Sequence, residues 1–203
     1  MAKIKHTKNE LKTQREALRR YERFLPMLQL KKQQLQAELQ TIDVRREAKL
    51  AEESGLRARV RSWVRLFADP VDLASFTKLV EVRRSTNNVA GVFIPVFEGV
   101  RFARSAIDLF ETPAWIDDGL DAVEQAIGLK AELDVLEEQR RLIATELRIT
   151  SQRVNLFEKV KIPECREHIR VIKIFLGDQQ TAGVARAKIA KGRLAAADEQ
   201  AAA

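Results

Sequence analysis

The amino-acid sequence predicts an all-α-dominated fold: a long antiparallel two-helix coiled coil with a short helical and β-hairpin excursion in the middle. Three observations predict it. Apolar residues recur in heptads through the first fifty positions, and a second such seam runs from Leu129 towards the C-terminus. Between them the texture changes to Val, Phe and Ile punctuated by Gly and Pro, which is strand and turn chemistry.

Heptads beginning at Ile4 place Ile4, Leu11, Leu18, Leu25, Lys32 and Leu39 at the a positions. The d positions are Thr7, Gln14, Tyr21, Leu28, Leu35 and Ile42, and nine of these twelve are apolar. A 3.5-residue repeat sustained this long indicates a coiled coil, because a single amphipathic helix on a globular core rarely exceeds roughly 20 residues. Gly55 loosens the end of this helix, and Asp69-Pro70 breaks the chain.

The segment VDLASFTKLVEVRR (71–84) reads as short and amphipathic, and STNNVAGVFIPVFEGVRFA (85–103) as a β-hairpin. An isolated hairpin is marginal in water, so this one must lean on the helices or on a partner. Asp117-Asp118 are caps for the last helix. Its seam runs Leu129, Leu133, Leu136, Arg140, Ile143, Leu147, Thr150, Val154 and Phe157. It then slips by one residue to Ile162, Cys165, Ile169, Ile172 and Leu176. A slip marks a change of winding, and it falls beside Pro163, where a proline is expected to bend the helix. Pro26 raises the same question in the first helix.

The chain divides into an N-terminal coiled-coil helix (1–65) and a middle excursion (66–116) with its hairpin at about 85–103. A C-terminal coiled-coil helix (117–192) and a disordered Ala-rich tail (193–203) follow. At about 1.5 Å per residue each arm spans on the order of 90 Å. An antiparallel hairpin of helices brings both termini to one end.

Charge is segregated along the chain. Residues 1–40 hold ten Lys/Arg against four Glu, a balance of +6. Residues 105–138 hold ten Asp/Glu against Lys130, a balance of −9. From Gln179 to Ala197 there are four basic residues and no acid. The pattern gives a basic end formed by Lys3, Lys5, Lys8, Lys12, Arg186, Lys188 and Lys191. A basic coiled coil also invites a nucleic-acid-binding or scaffold reading. The aromatics that would stack on bases, Tyr21 and Phe24, instead lie close to the seam, which argues against nucleic acid.

Catalysis is poorly served. The histidines are His6 and His168, and Cys165 lies three residues from His168 but on the seam, where a packed cysteine is the simpler reading. No second ligand cluster accompanies them, so no metal or cofactor site is expected. The loop-like GDQQTAG (177–183) lacks the lysine and preceding strand of a phosphate cradle. The opening residues have no apolar core of a signal peptide, and no run reaches the roughly 18 apolar residues of a membrane span. One cysteine fits a reducing compartment. The expectation is a soluble, cytoplasmic chain without direct membrane insertion.

Three stretches resemble the D subunits of the V-type and A-type rotary ATPases and ATP synthases, in particular the bacterial ones. Thr7-Lys8 followed by Leu11 resembles the family's T-K-x-x-L opening. Asn88-Val89-Ala90-Gly91-Val92 with Pro95 and Phe97 resembles N-x-A-G-V-x-x-P-x-F. Arg153-Val154-Asn155, then Glu158, Val160 and Ile162-Pro163, resembles R-V-N-A-L-E-x-V-x-I-P. Leu156-Phe157 stands where the family favours Ala-Leu, and Gln152 replaces a common arginine.

The resemblance implies the rotor shaft of the central stalk. Its paired terminal helices would enter a hexamer of catalytic and non-catalytic ATPase subunits. Its lower part would bind the small F subunit of the central stalk and connect through a funnel-shaped subunit to the membrane ring. Such a shaft couples ATP hydrolysis or synthesis to ion transport, carries no catalytic residue, and is peripheral to the membrane. Lys3, Lys5, Thr7, Lys8, Lys12, Arg186, Lys188 and Lys191 would then be hexamer contacts. A bend at Pro163 would make the shaft asymmetric, and the hairpin would modulate ATP hydrolysis without being part of the core.

Overall fold

The computed structural model describes residues 5–69, 71–108 and 112–201. Ile4, which opens the first heptad, Lys3 and Pro70 lie outside them. The fold is all-α-dominated with one two-stranded antiparallel sheet in the middle. Helix α1 (Lys8–Arg61) is followed by a 3-10 turn (Val64–Ala68) and one helical turn, α2 (Leu73–Phe76). Strands β1 (Thr77–Val89) and β2 (Val92–Arg104) come next. Helix α3 (Ile116–Leu156), a π turn (Phe157–Lys161) and helix α4 (Ile162–Ala201) complete the chain.

Two compact units result. One comprises the chain up to Leu30 together with Ser151 onwards; the other is Lys31–Thr150.

In the second unit, α1 and α3 run antiparallel, as a ladder of ion pairs records. Lys31 pairs with Glu146 at 2.7 Å, Asp43 with Arg140 at 2.8 Å, Arg46 with Glu137 at 3.3 Å and Lys49 with Glu132 at 3.3 Å. Apart from the exposed Glu137 these residues are half-buried and still reached by solvent, so each pair contributes on the order of 1 kcal/mol and they set register more than stability. The stabilising term is the core of Leu35, Ile42, Leu136 and Ile143, into which the hairpin inserts Ile94. The sequence suggests a hairpin outside the core; Ile94, only 3% exposed, corrects that.

The hairpin is also longer than the sequence suggests. It runs Thr77–Arg104 rather than about 85–103, and the helix within 71–84 shrinks to Leu73–Phe76. Thr77, Val80 and Val82 favour a pleat, and β2 supplies the pairing that a local reading cannot see. Strand twist is adjusted by irregularities at Leu79/Glu81 and Arg83/Arg84.

The Arg140 position predicted for the seam also shifts. Gln139 takes the interior place, 5% exposed, while Arg140 reaches across to Asp43. Gln139 Nε2 donates to the Pro95 carbonyl, so the buried amide is satisfied by the hairpin that covers it.

In the first unit the two helical stretches also run antiparallel. His6 packs on Phe175 with ring centroids 4.8 Å apart, Tyr21 on Phe157 at 5.0 Å, and Arg166 donates to Glu22 at 2.9 Å. Val154, Ile162, Cys165 and Ile172 are buried, facing the half-buried Leu11, Leu18, Tyr21, Leu25 and Leu28 of α1. Thr7 caps α1: the Glu10 N–H donates to its Oγ1 at 3.2 Å. Pro26 sits inside α1 on an exposed position, where water can satisfy the carbonyl it orphans.

Two further corrections concern α4. Residues 193–201 belong to it, where the sequence suggests a disordered tail; alanine is the best helix former and explains the difference. And because His6 meets Phe175, the rest of α4 runs beyond the start of α1. Arg186 lies eleven residues past Phe175, about 16 Å further along the helix. The coiled coil therefore does not gather Arg186, Lys188 and Lys191 beside Lys5, Lys8 and Lys12.

Candidate functional site: surfaces of the helix pair

The Cys165 thiol is unsuited to nucleophilic chemistry. Cys165 is buried, and desolvation pushes its thiol above the ordinary range, the opposite of what a reactive thiolate needs. His168 Nδ1 is buried without a hydrogen-bond partner. Among the described residues no cluster of His, Cys, Asp and Glu has the grouping to hold a metal ion. Nor, among them, is any helix long and apolar enough to cross a membrane.

The motif residues separate into two kinds. Asn88, Ala90 and Gly91 build the hairpin turn. Ala90 and Gly91 both have positive φ, at 50° and 82°, the two-residue geometry whose twist matches the flanking strands. Asn88 Oδ1 accepts from the Gly91 N–H at 2.9 Å and closes it. Ala90 adopts a conformation that a side chain resists, while packing against the Leu35 and Ile42 cluster. Pro95 presents the carbonyl taken by Gln139. Val154 is buried, and Pro163 is the second residue of α4, directly after the π turn.

The other kind points outward. Arg153 and Asn155 of α3 and Glu158 of the π turn are exposed, and among the described residues they make no side-chain hydrogen bond or ion pair. Lys5, Thr7, Lys8 and Lys12 are exposed at the start of α1, with only Lys12 near a carboxylate, Glu16 at 4.0 Å. Arg186, Lys188 and Lys191 are exposed on the extension of α4.

Sequence reasoning missed three surfaces. Phe24, Met27 and Leu30 form an exposed apolar stripe on α1, at intervals of three and off the heptad seam, which corrects the placement of Phe24 close to that seam; Tyr21 alone of the two aromatics is half-buried there. In the second unit an open apolar groove of about 810 Å³ is lined by Leu56, Val60, Phe67, Leu79, Val82 and Ile127. No sequence signal marks it, because it needs β1 to lie beside both helices. At the base of the hairpin, Arg104 donates to Asp121 and to Glu124, and the Thr77 hydroxyl donates to Glu124 at 2.6 Å. The Arg104 hydrogen bond holds the Glu124 carboxyl below its ordinary range, against the opposing effect of burial.

The fold is that of an all-α-dominated protein of paired antiparallel helices with one β-hairpin in the middle. The family model described as the D subunit of ATP synthase matches residues 10–192. A protein of Borreliella burgdorferi, named as the D subunit of a V-type ATP synthase, is 44% identical over 194 residues, covering 96% of each chain. Proteins of the same name from Chlamydia pneumoniae and Chlamydia muridarum are 33% and 32% identical, covering 94% and 95% of this chain and 93% and 97% of their own. The chain belongs to the family of ATP synthase D subunits, a central-stalk component of V-type rotary ATPases.

Proposed function

We propose that the chain is the rotating shaft itself. It transmits torque between a hexamer of catalytic and non-catalytic ATPase subunits and a membrane ring, and contributes no catalytic residue. Its hexamer-facing part is the extension of α4 with the start of α1. A small partner, the F subunit, and the funnel-shaped subunit take the other unit, and the assembly stands on the cytoplasmic side of the membrane as a peripheral complex.

One observation carries this reading within the family. Beyond Phe175, α4 continues to Ala201 with Arg186, Lys188, Lys191 and Arg193 and no acid from Gln179 to Ala197, without a helix from α1 beside it. An exposed cationic helix extension is self-repelling and gains from a surrounding wall of carboxylates or carbonyls. Unpatterned attraction of that kind holds no single register strongly, which suits a part that turns. The outward Arg153, Asn155 and Glu158 and the Phe24–Leu30 stripe supply further contact along the same unit.

The test is assembly. A tagged chain should retain the catalytic and non-catalytic subunits and a small stalk subunit on purification, and truncation after Leu176 should lose the hexamer while keeping the small subunit. Loss of both together, or of neither, contradicts the assignment of surfaces. Retention of nucleic acid in place of the ATPase subunits contradicts the function.

A further inference from the structure

The seam residues of the first unit are spaced unevenly. Val154 and Phe157 are three apart and Ile162 and Cys165 are three apart, but five residues separate Phe157 from Ile162. An α-helix advances about 100° per residue, so one surplus residue would swing Ile162, Cys165, Ile169 and Ile172 off the seam by that angle. The π turn at Phe157–Lys161 absorbs it: the Ile162 N–H donates to the Phe157 carbonyl, five residues back instead of four. Pro163 fits the same place, since an ordinary turn would set its ring against the Lys159 carbonyl. Seam and proline therefore agree on one irregular turn.

The surroundings leave that turn free to work. Tyr21 and Glu22, adjacent on α1, reach Phe157 and Arg166, nine residues apart, and so bracket the turn from both sides. Between the brackets Glu158, Lys159 and Val160 are exposed, and the nearest ion pair, Lys161–Glu164 at 3.0 Å, is local and in solvent. The turn is anchored at its ends and unpacked on its outer side.

We propose that this π turn is a torsionally compliant element of the helix pair, a one-residue reserve of winding that Pro163 keeps in place and that takes up twist when the two ends are turned against each other. The torsional role rests on the shaft reading; the local softness does not. Deleting Val160 together with Pro163→Ala restores uniform three-and-four spacing and removes the turn. Pro163→Ala alone leaves the surplus residue, so the seam still demands the wide turn.

Two measurements test it. In the full-length chain, amides of the turn should exchange about tenfold faster than those of the flanking helix, the scale of one weakened backbone hydrogen bond. The double change should abolish that difference, while Pro163→Ala should keep it. Equal exchange in the parent chain, with folding intact by circular dichroism, overturns the proposal. In the assembled ATPase, the angular spread of a bead on the shaft, held at a nucleotide-stalled dwell, should narrow with the double change and not with Pro163→Ala. An unchanged spread alongside the expected exchange result overturns the torsional role while leaving the shaft assignment standing. Failure of the parent chain to assemble at all removes the shaft reading, and with it the torsional role.

Discussion

Gln139 of α3 donates its side-chain N–H to the carbonyl of Pro95 in β2, across the buried face on which the hairpin lies. This bond ties a strand to a helix at a position where the helix seam would otherwise carry an apolar residue. Replacing Gln139 by Leu leaves the Pro95 carbonyl without its partner and should cost about 1–3 kcal/mol of unfolding free energy. Urea denaturation measures it. A neutral or stabilised Gln139→Leu chain would mean that the bond contributes nothing net.

The two faces of β2 should respond differently. Ile94 is 3% exposed and packs with Leu35, Ile42, Leu136 and Ile143, whereas Phe93 is 69% exposed. Ile94→Ala should destabilise by about 2–5 kcal/mol, the range for a truncated buried aliphatic side chain. Phe93→Ala should stay within about 0.5 kcal/mol. Equal effects would place the hairpin off the core.

The base of the hairpin should weaken in acid. Glu124 is held below its ordinary pKa of 4.5, chiefly by the Arg104 hydrogen bond. A carboxyl whose pKa is lowered on folding contributes stability that is fully present above the unfolded value and is lost as pH falls through the folded one. Protection of the hairpin amides, taken relative to the intrinsic exchange rate at each pH, should therefore be flat above the ordinary value and fall below it, with Glu124→Gln reducing the acid dependence. A dependence appearing only above neutral pH would contradict the assignment.

Helix α4 beyond Phe175 carries glycines that nothing else explains: a Cβ placed at Gly183 or Gly192 meets nothing within 4 Å. Each should cost about 1 kcal/mol of local helix stability relative to alanine. Gly183→Ala with Gly192→Ala should raise helicity by circular dichroism and slow exchange there, without moving the denaturation midpoint set by the packed units. A large midpoint shift would show that the extension is packed against something within the chain.

Much of this was legible from residue spacing. Every described seam position from Leu11 to Ile42 is buried or half-buried, because a 3.5-residue repeat over a long helix has only one face to bury. The slip near Phe157 was legible too, but its form was not: spacing reports a surplus residue and cannot say whether a bend or a π turn absorbs it. What escaped the sequence was non-local. Lys78 to Arg84 become strand only because β2 lies opposite, and Gln139 is interior only because Pro95 covers it. Equally, the basic residues of the two ends read as one cluster until the meeting of His6 with Phe175 sets the helices in register.

The central claim is that this chain turns relative to the ATPase hexamer. A bead attached through Phe93→Cys on the exposed face of the hairpin, with Cys165 buried and slow to react, reports it directly. With the hexamer fixed to a surface, addition of ATP should produce unidirectional stepped rotation of the bead. A bead that stays still while the complex hydrolyses ATP, with the chain demonstrably bound, would contradict the account.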